Sequence, residues 1–162
     1  MMRRTRCAGV LAALTLAACG SVSDSVDFHA PAGYVSKASL GSFMQVWQSS
    51  DGKSALMVMQ LPGEVNFERA MNSADIKNAT VKKREQITIC GNQPALFAEV
   101  TGTSANVKLS GDEVTAKRER SNIDFLVTHG HGNSYFAMYA WPLKDAPNPA
   151  AQSAIRDLCA KK

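Results

Sequence analysis

Apolar and polar residues along this chain fall into short runs of period two, interrupted by turn residues and by two stretches of helical spacing. Phe43 to Gln48 and Ala55 to Leu61 flank Asp51-Gly52, a pair whose backbone preferences suit a tight hairpin turn. In the second run Leu56 and Val58 alternate with Met57, Met59 and Leu61, so both faces are apolar and the strand is expected to be covered on both sides. After Pro62-Gly63, Val65, Phe67, Ala70, Met71 and Ala74 follow helical spacing, which predicts a short amphipathic helix ending near Lys77. Thr80 to Cys90 begins polar and becomes alternating. Gly91-Asn92-Gln93-Pro94 turns it into Ala95 to Val100, a second hairpin. Thr101 to Asp112, rich in Thr, Ser, Asn and Gly, reads as a loop or irregular edge.

Glu113 to Thr128 turns through Gly130-His131-Gly132-Asn133 into Ser134 to Trp141, a third hairpin. In its second arm Phe136, Met138 and Ala140 face one way, and Tyr135, Tyr139 and Trp141 the other. Asn148-Pro149 combines a capping side chain with a proline whose missing N–H costs nothing in a first turn. The helix it starts carries Ala151, Ala154, Ile155 and Leu158 as its stripe, with Lys161-Lys162 expected at its negative end. The pattern therefore predicts an α+β domain. Its sheet is mostly antiparallel and built from three hairpins, with one helix between the first and second hairpins and one at the C-terminus.

The other apolar run, Cys7 to Ala18, follows Arg3, Arg4 and Arg6 and ends in Leu16-Ala17-Ala18-Cys19-Gly20. A membrane-spanning helix needs about 20 apolar residues, and this run is shorter. The alternative of a secretory signal without lipidation is weighed against the order Leu, Ala, Ala, Cys, which resembles the lipobox of a bacterial lipoprotein. That resemblance implies a signal peptide over residues 1–18, a diacylglyceryl group on Cys19, a short flexible tether over 19–27 and one globular domain over 28–162. It places the protein in the cell envelope, facing the periplasm from the outer membrane if the cell has two membranes.

Charge and cysteine content change meaning on this reading. The chain has 18 Lys and Arg against 14 Asp and Glu, but three of the arginines precede Cys19, leaving 15 against 14. No basic excess remains to argue for nucleic acid. Cys7 leaves with the signal and Cys19 carries lipid, so Cys90 and Cys159 remain. In an oxidising compartment such a pair most often forms a disulfide, the alternative being two buried thiols.

Among chemistry-bearing residues, His129 and His131 share a strand face but lack the third ligand that zinc requires. No metal or other cofactor is expected. Ser50-Asp51-Gly52-Lys53 spells Ser-x-x-Lys in a turn rather than on the helix that would stack the two side chains. Glu99 and Asp124 lie in apolar strands and are expected to point outward as ordinary surface carboxylates, without catalytic roles. Two features suit binding. Lys82, Lys83, Arg84, Lys117, Arg118 and Arg120 would make a patch for an anionic surface if their strands were neighbours, or a solvated end balanced by Glu85 and Glu119. Trp47, Tyr135, Tyr139 and Trp141 would line a ligand groove, or a core under a helix.

Phe28-x-x-Pro31-x-Gly33-Tyr34, the strand of Trp47, Cys90-Gly91-x-x-Pro94-Ala95, Tyr135-Phe136-x-x-Tyr139 and Ala154-Ile155-x-x-Leu158-Cys159 resemble the PsbP-like family. The resemblance implies an α/β/α sandwich that binds protein partners, with no catalytic residues to carry over. The expectation is a membrane-anchored, non-catalytic binding or scaffolding protein with a protein partner in the envelope. A carrier of small apolar ligands is the alternative, and an enzyme of unrecognised type the third.

Overall fold

The computed structural model describes residues 22–40, 43–110 and 113–161. Leu16-Ala17-Ala18-Cys19, the stretch expected to be a lipobox, and Lys162 lie outside these. The elements in order are α1 (Val22–Ser25), β1 (Val26–Asp27), β2 (Tyr34–Leu40), β3 (Met44–Ser49), β4 (Ala55–Pro62), α2 (Phe67–Ser73), β5 (Lys77–Ile89), β6 (Gln93–Ser110), β7 (Glu113–Gly130), β8 (Asn133–Pro142), α3 (Pro149–Arg156) and β9 (Cys159–Ala160). Seven strands form one antiparallel sheet in the order β2-β3-β4-β8-β7-β6-β5, and β1 pairs with β9 apart from it.

Alternation decides which residues meet which helix. Leu56, Val58, Phe97, Leu126, Tyr135, Ala137, Tyr139 and Trp141 pack with Ala151 and Ile155 of α3 and with Leu158 just past its end. Met57, Met59, Val100, Ile123, Phe125, Phe136 and Met138 pack on the other face with Phe67 and Ala70 of α2 and with Ala74, its C-cap. The sheet is thus covered on both sides, as the doubly apolar β4 and β8 require. The three expected hairpins and both expected helices are present.

Four differences have physical causes. α2 is capped by Asn66 and ends at Ala74, short of Lys77, because Asp75 and Asn78 take positive φ (55° and 50°) and turn the chain into β5. Thr101 to Ser110 is strand rather than loop, each residue paired with β7 from Asn122 to Glu113. Its glycine reflects crowding, since a Cβ at Gly102 would lie 2.7 Å from Ile76 Cγ2. Lys161 does not follow a helix end: α3 stops at Arg156, and Cys159–Ala160 pairs with Val26–Asp27. That pairing also takes up the last part of the expected tether, where Val22–Ser25 is helical and Val26 is buried.

The turns and bridges fix the two ends of the sheet. His131 and Gly132 both have positive φ (52° and 73°) in a two-residue turn that matches the twist of the flanking strands. Cys90 and Cys159 are joined as a disulfide with their Cα atoms 5.8 Å apart, tying the end of β5 to β9.

Candidate binding cleft

Tyr34 opens β2, and its position follows from Gly33, whose positive φ of 86° turns the chain after Pro31. The β3–β4 turn folds beside it. Gly52 donates its N–H to the Ser49 carbonyl (2.9 Å), and the Ser49 hydroxyl donates to Asp51 (2.6 Å) while accepting from the Ser54 N–H (3.0 Å). Ser54 Oγ is 2.7 Å from the Tyr34 hydroxyl. Across from this turn, Pro142 ends β8 and the loop to α3 returns through Pro147, Asn148 and Pro149. The Asn148 side chain accepts the N–H groups of Ala150 and Ala151 (2.9 and 3.3 Å), and its own N–H donates to the Tyr139 hydroxyl (2.9 Å).

Between these two walls lies an open cleft of about 460 Å³. Its floor is Tyr34, Tyr139 and Trp141, and its rim includes Ser50, Asp51, Lys53, Asp145 and Asn148. Tyr139 stacks on Trp141 (centroids 4.7 Å apart) and meets Tyr34 edge to face at 6.4 Å. Burial pushes the Tyr34 phenol up to about 12, with its hydrogen bond to Tyr139 adding to the rise and that to Ser54 opposing it. Tyr34 is therefore a neutral hydrogen-bonding group at physiological pH. The hydrogen bond from Ser49 and the Lys53 N–H hold the exposed Asp51 carboxyl below its ordinary range. Ser50 and Lys53 both reach the cleft, on a turn and not on one face of a helix. A polar rim over an aromatic floor can hold a segment by hydrogen bonds and ring contact.

The four expected aromatics do not form an open face. Tyr135, Tyr139 and Trp141 are 2%, 1% and 8% exposed and belong to the core under α3, with Tyr139 and Trp141 reaching the cleft floor from below. Trp47 is half-buried against Phe28 (centroids 5.0 Å) beside a separate cavity of about 220 Å³. Sequence reasoning missed Tyr34 and the Pro142–Pro149 wall. The signal available was three prolines around an N-cap, which fixes a stiff loop beside the last helix.

The six basic residues sit on β5 and β7 with β6 between them, and long side chains reach across it. Each also has a partner: Lys82 with Asn122, Lys83 with Glu85, Arg84 with Glu68, Lys117 with Glu119, Arg118 with Asp75, and Arg120 with the Asn78 carbonyl. A register shift between Val81 and Lys83 splits the run, and Arg84 lies over the Phe67 ring on the α2 side. His129 Nδ1 is 2.9 Å from the Ser134 hydroxyl and His131 occupies the turn. Among the described residues, no group of three potential ligands gathers around them.

Asp124 corrects the expectation of an outward carboxylate. It pairs across the strands with Glu99 but is 2% exposed, covered by α3, and accepts a hydrogen bond from Gln152 Nε2 (2.9 Å). Burial is the chief cause raising its carboxyl above the ordinary range, and Glu99 adds to it. The folded state thus holds this proton more tightly than the unfolded chain. Its contribution to stability is greatest at low pH and is lost as pH rises through the raised value. Asp124→Asn keeps an acceptor for Gln152 and removes the buried charge. The variant is expected to match or exceed the parent at pH 7, by on the order of 1 kcal/mol. In urea titrations the difference should shrink on acidification; a constant penalty at every pH would contradict this.

Comparison with solved structures gives a likeness of fold. The chain matches the solution structure of cyanobacterial PsbP (CyanoP) from Synechocystis sp. PCC 6803 with a TM-score of 0.58 at 13% identity, over 88% of this chain and 90% of that one. At that identity the likeness shows the fold, which is PsbP-like, as the sheet between helices was expected to be. No family model and no curated protein matches the sequence.

Proposed function

We propose that this chain is a lipid-anchored protein of the bacterial cell envelope whose PsbP-like domain binds a segment of a protein partner in the cleft between the β3–β4 turn and the β8–α3 loop. The observation that carries the reading is the cleft itself. Its floor is held rigid by the Tyr34, Tyr139 and Trp141 ring contacts and by the Asn148 N–H on the Tyr139 hydroxyl. A rigid floor lowers the entropy that binding must overcome. The lipobox supports the anchor, and the wider fold supports a domain that binds rather than reacts.

The carrier reading gains less from the same observations. Tyr135 is packed under α3 and does not line the cleft, and Tyr139 and Trp141 present only an edge at its floor, so an apolar ligand would find little ring surface there without displacing core contacts.

The test is capture from envelope membranes of the source cell with the lipidated protein as bait. Ser54→Trp fills the cleft beside Tyr34, and Lys53→Glu reverses the charge at its rim. Both are expected to reduce recovery of a partner at least tenfold, with the urea midpoint of Lys53→Glu unchanged. Equal recovery by the parent and both variants would rule the cleft out as the contact.

A further inference from the structure

We infer that the domain stands on the bilayer by the end of the sheet that carries β1, β9 and the two turns Cys90–Asn92 and His131–Gly132, with the phospholipid headgroup layer as that surface's partner and the cleft held at the opposite end. The inference rests on the lipid-anchor reading of Cys19. It adds which surface meets lipid.

The first argument is the length of chain between lipid and fold. Cys19 precedes Val22, where α1 starts, by three residues, and three residues of fully extended chain reach about 10 Å. Whatever surrounds the start of α1 is therefore held within roughly that distance of the acyl chains' polar ends.

The second argument is where α1 is fastened. Lys161 donates its N–H to the Ser25 carbonyl (2.9 Å), and Val26–Asp27 pairs with Cys159–Ala160. Cys159 is bonded to Cys90 at the end of β5, and a Cβ at Gly130 would lie 2.9 Å from Ala160 Cβ at the end of β7. Gly63, past the end of β4, donates to the Gly132 carbonyl (2.9 Å). Two contacts thus tie the start of the described chain to Cys159–Ala160 and Lys161, and two more tie that segment to one end of the sheet. The end is not left to swing, because one of the four is covalent.

The third argument is distance. β7 runs from Gly130 at this end to Glu113 at the other, about 55 Å at roughly 3.3 Å per residue. Lys117, Arg118 and Arg120 lie along its distal part, and the cleft opens where β3 ends, β4 begins and β8 ends, away from Gly130. Basic residues there are poorly placed to meet headgroups. On this orientation Lys117, Arg118 and Arg120 face away from lipid, and so does the cleft.

The test uses the full lipidated chain in vesicles of equimolar phosphatidylethanolamine and phosphatidylglycerol carrying a headgroup-attached paramagnetic quencher. A fluorophore is placed in separate samples on His131→Cys or Asn92→Cys at the near end, and on Lys117→Cys or Ser50→Cys at the far end. Two sites at each end keep the comparison valid if one variant folds poorly. The near-end labels are expected to lose at least half their emission and the far-end labels less than a tenth. Inserting twenty Gly and Ser residues after Ser21 should restore near-end emission. Mass measurement of the N-terminal peptide separates the two readings. Absence of a diacylglyceryl group on Cys19 overturns the anchor and this orientation together. Acylated protein with equal quenching at both ends, or stronger quenching at Lys117, overturns the orientation alone.

Discussion

Tyr139→Ala should lower the unfolding free energy by about 3–5 kcal/mol, the range for removing a large aromatic from a packed interior. Tyr139 is 1% exposed, stacks on Trp141, meets Tyr34 edge to face and accepts the Asn148 N–H that starts α3. Truncation removes those ring contacts and leaves the Asn148 N–H without its acceptor. Tyr139→Phe keeps the ring and should cost about 1–3 kcal/mol, since the hydroxyl's hydrogen bonds with the Asn148 N–H and with Tyr34 are both lost. Urea unfolding followed by tryptophan emission reads both, with Trp141 beside the altered site. A carrier would behave otherwise. Its Tyr139→Ala form would keep a near-parental midpoint and lose a small apolar ligand, so an unchanged midpoint would contradict the core placement and reopen the carrier reading.

Much of this fold can be read in local patterns. Asp51-Gly52 and Asn148-Pro149 each dictate backbone geometry by their own chemistry, and the turn and helix start appear there. The doubly apolar β4 and β8 could only be central strands, and they are neighbours in the middle of the sheet. What escaped depends on partners far away in sequence. Nothing near Gly102 says that Ile76 will pass so close that a side chain would not fit. Val26–Asp27 is two residues long and becomes a strand only because Cys159–Ala160 lies alongside. Alternation led to Asp124 being expected outward, and only the docking of α3 makes its face a buried one.

The candidate site was less legible for a related reason. Its floor uses residues whose pattern marks them as core, and Tyr139 and Trp141 are core residues with one edge at the cleft. Its rim comes from turns, where polarity carries no period to read. The basic runs looked like a patch because sequence shows charge without pairing. Arg118 finds Asp75 and Arg84 finds Glu68 only once α2 and its following turn lie against the strands. Such exposed pairs contribute about 0–1 kcal/mol each, so they neutralise the surface more than they hold the fold.

Cys90→Ser combined with Cys159→Ser should lower stability by about 4 kcal/mol, because the disulfide closes a loop of 69 residues and restricts the unfolded chain accordingly. The folded-state consequence is local. β9 is then held by its pairing with the two residues of β1 and by Leu158, which is fully buried beneath the sheet. Opening should begin there, since a two-residue pairing is far too short to persist alone. Hydrogen exchange at Val26, Ala160 and Lys161 is expected to quicken before exchange in β7 and β8, while α3 keeps its protection through Ala151, Ile155 and Leu158. Dithiothreitol should reproduce the double variant in the parent and leave the variant itself unaffected. A midpoint in denaturant that does not respond to reductant would show that the bridge contributes little. The same loss would also free the segment that joins Cys19 to the sheet. On the proposed anchor and orientation, the double variant in vesicles should therefore remain lipid-bound while its near-end labels lose their fixed distance from the headgroups, the disulfide being what would convert an anchor into an orientation.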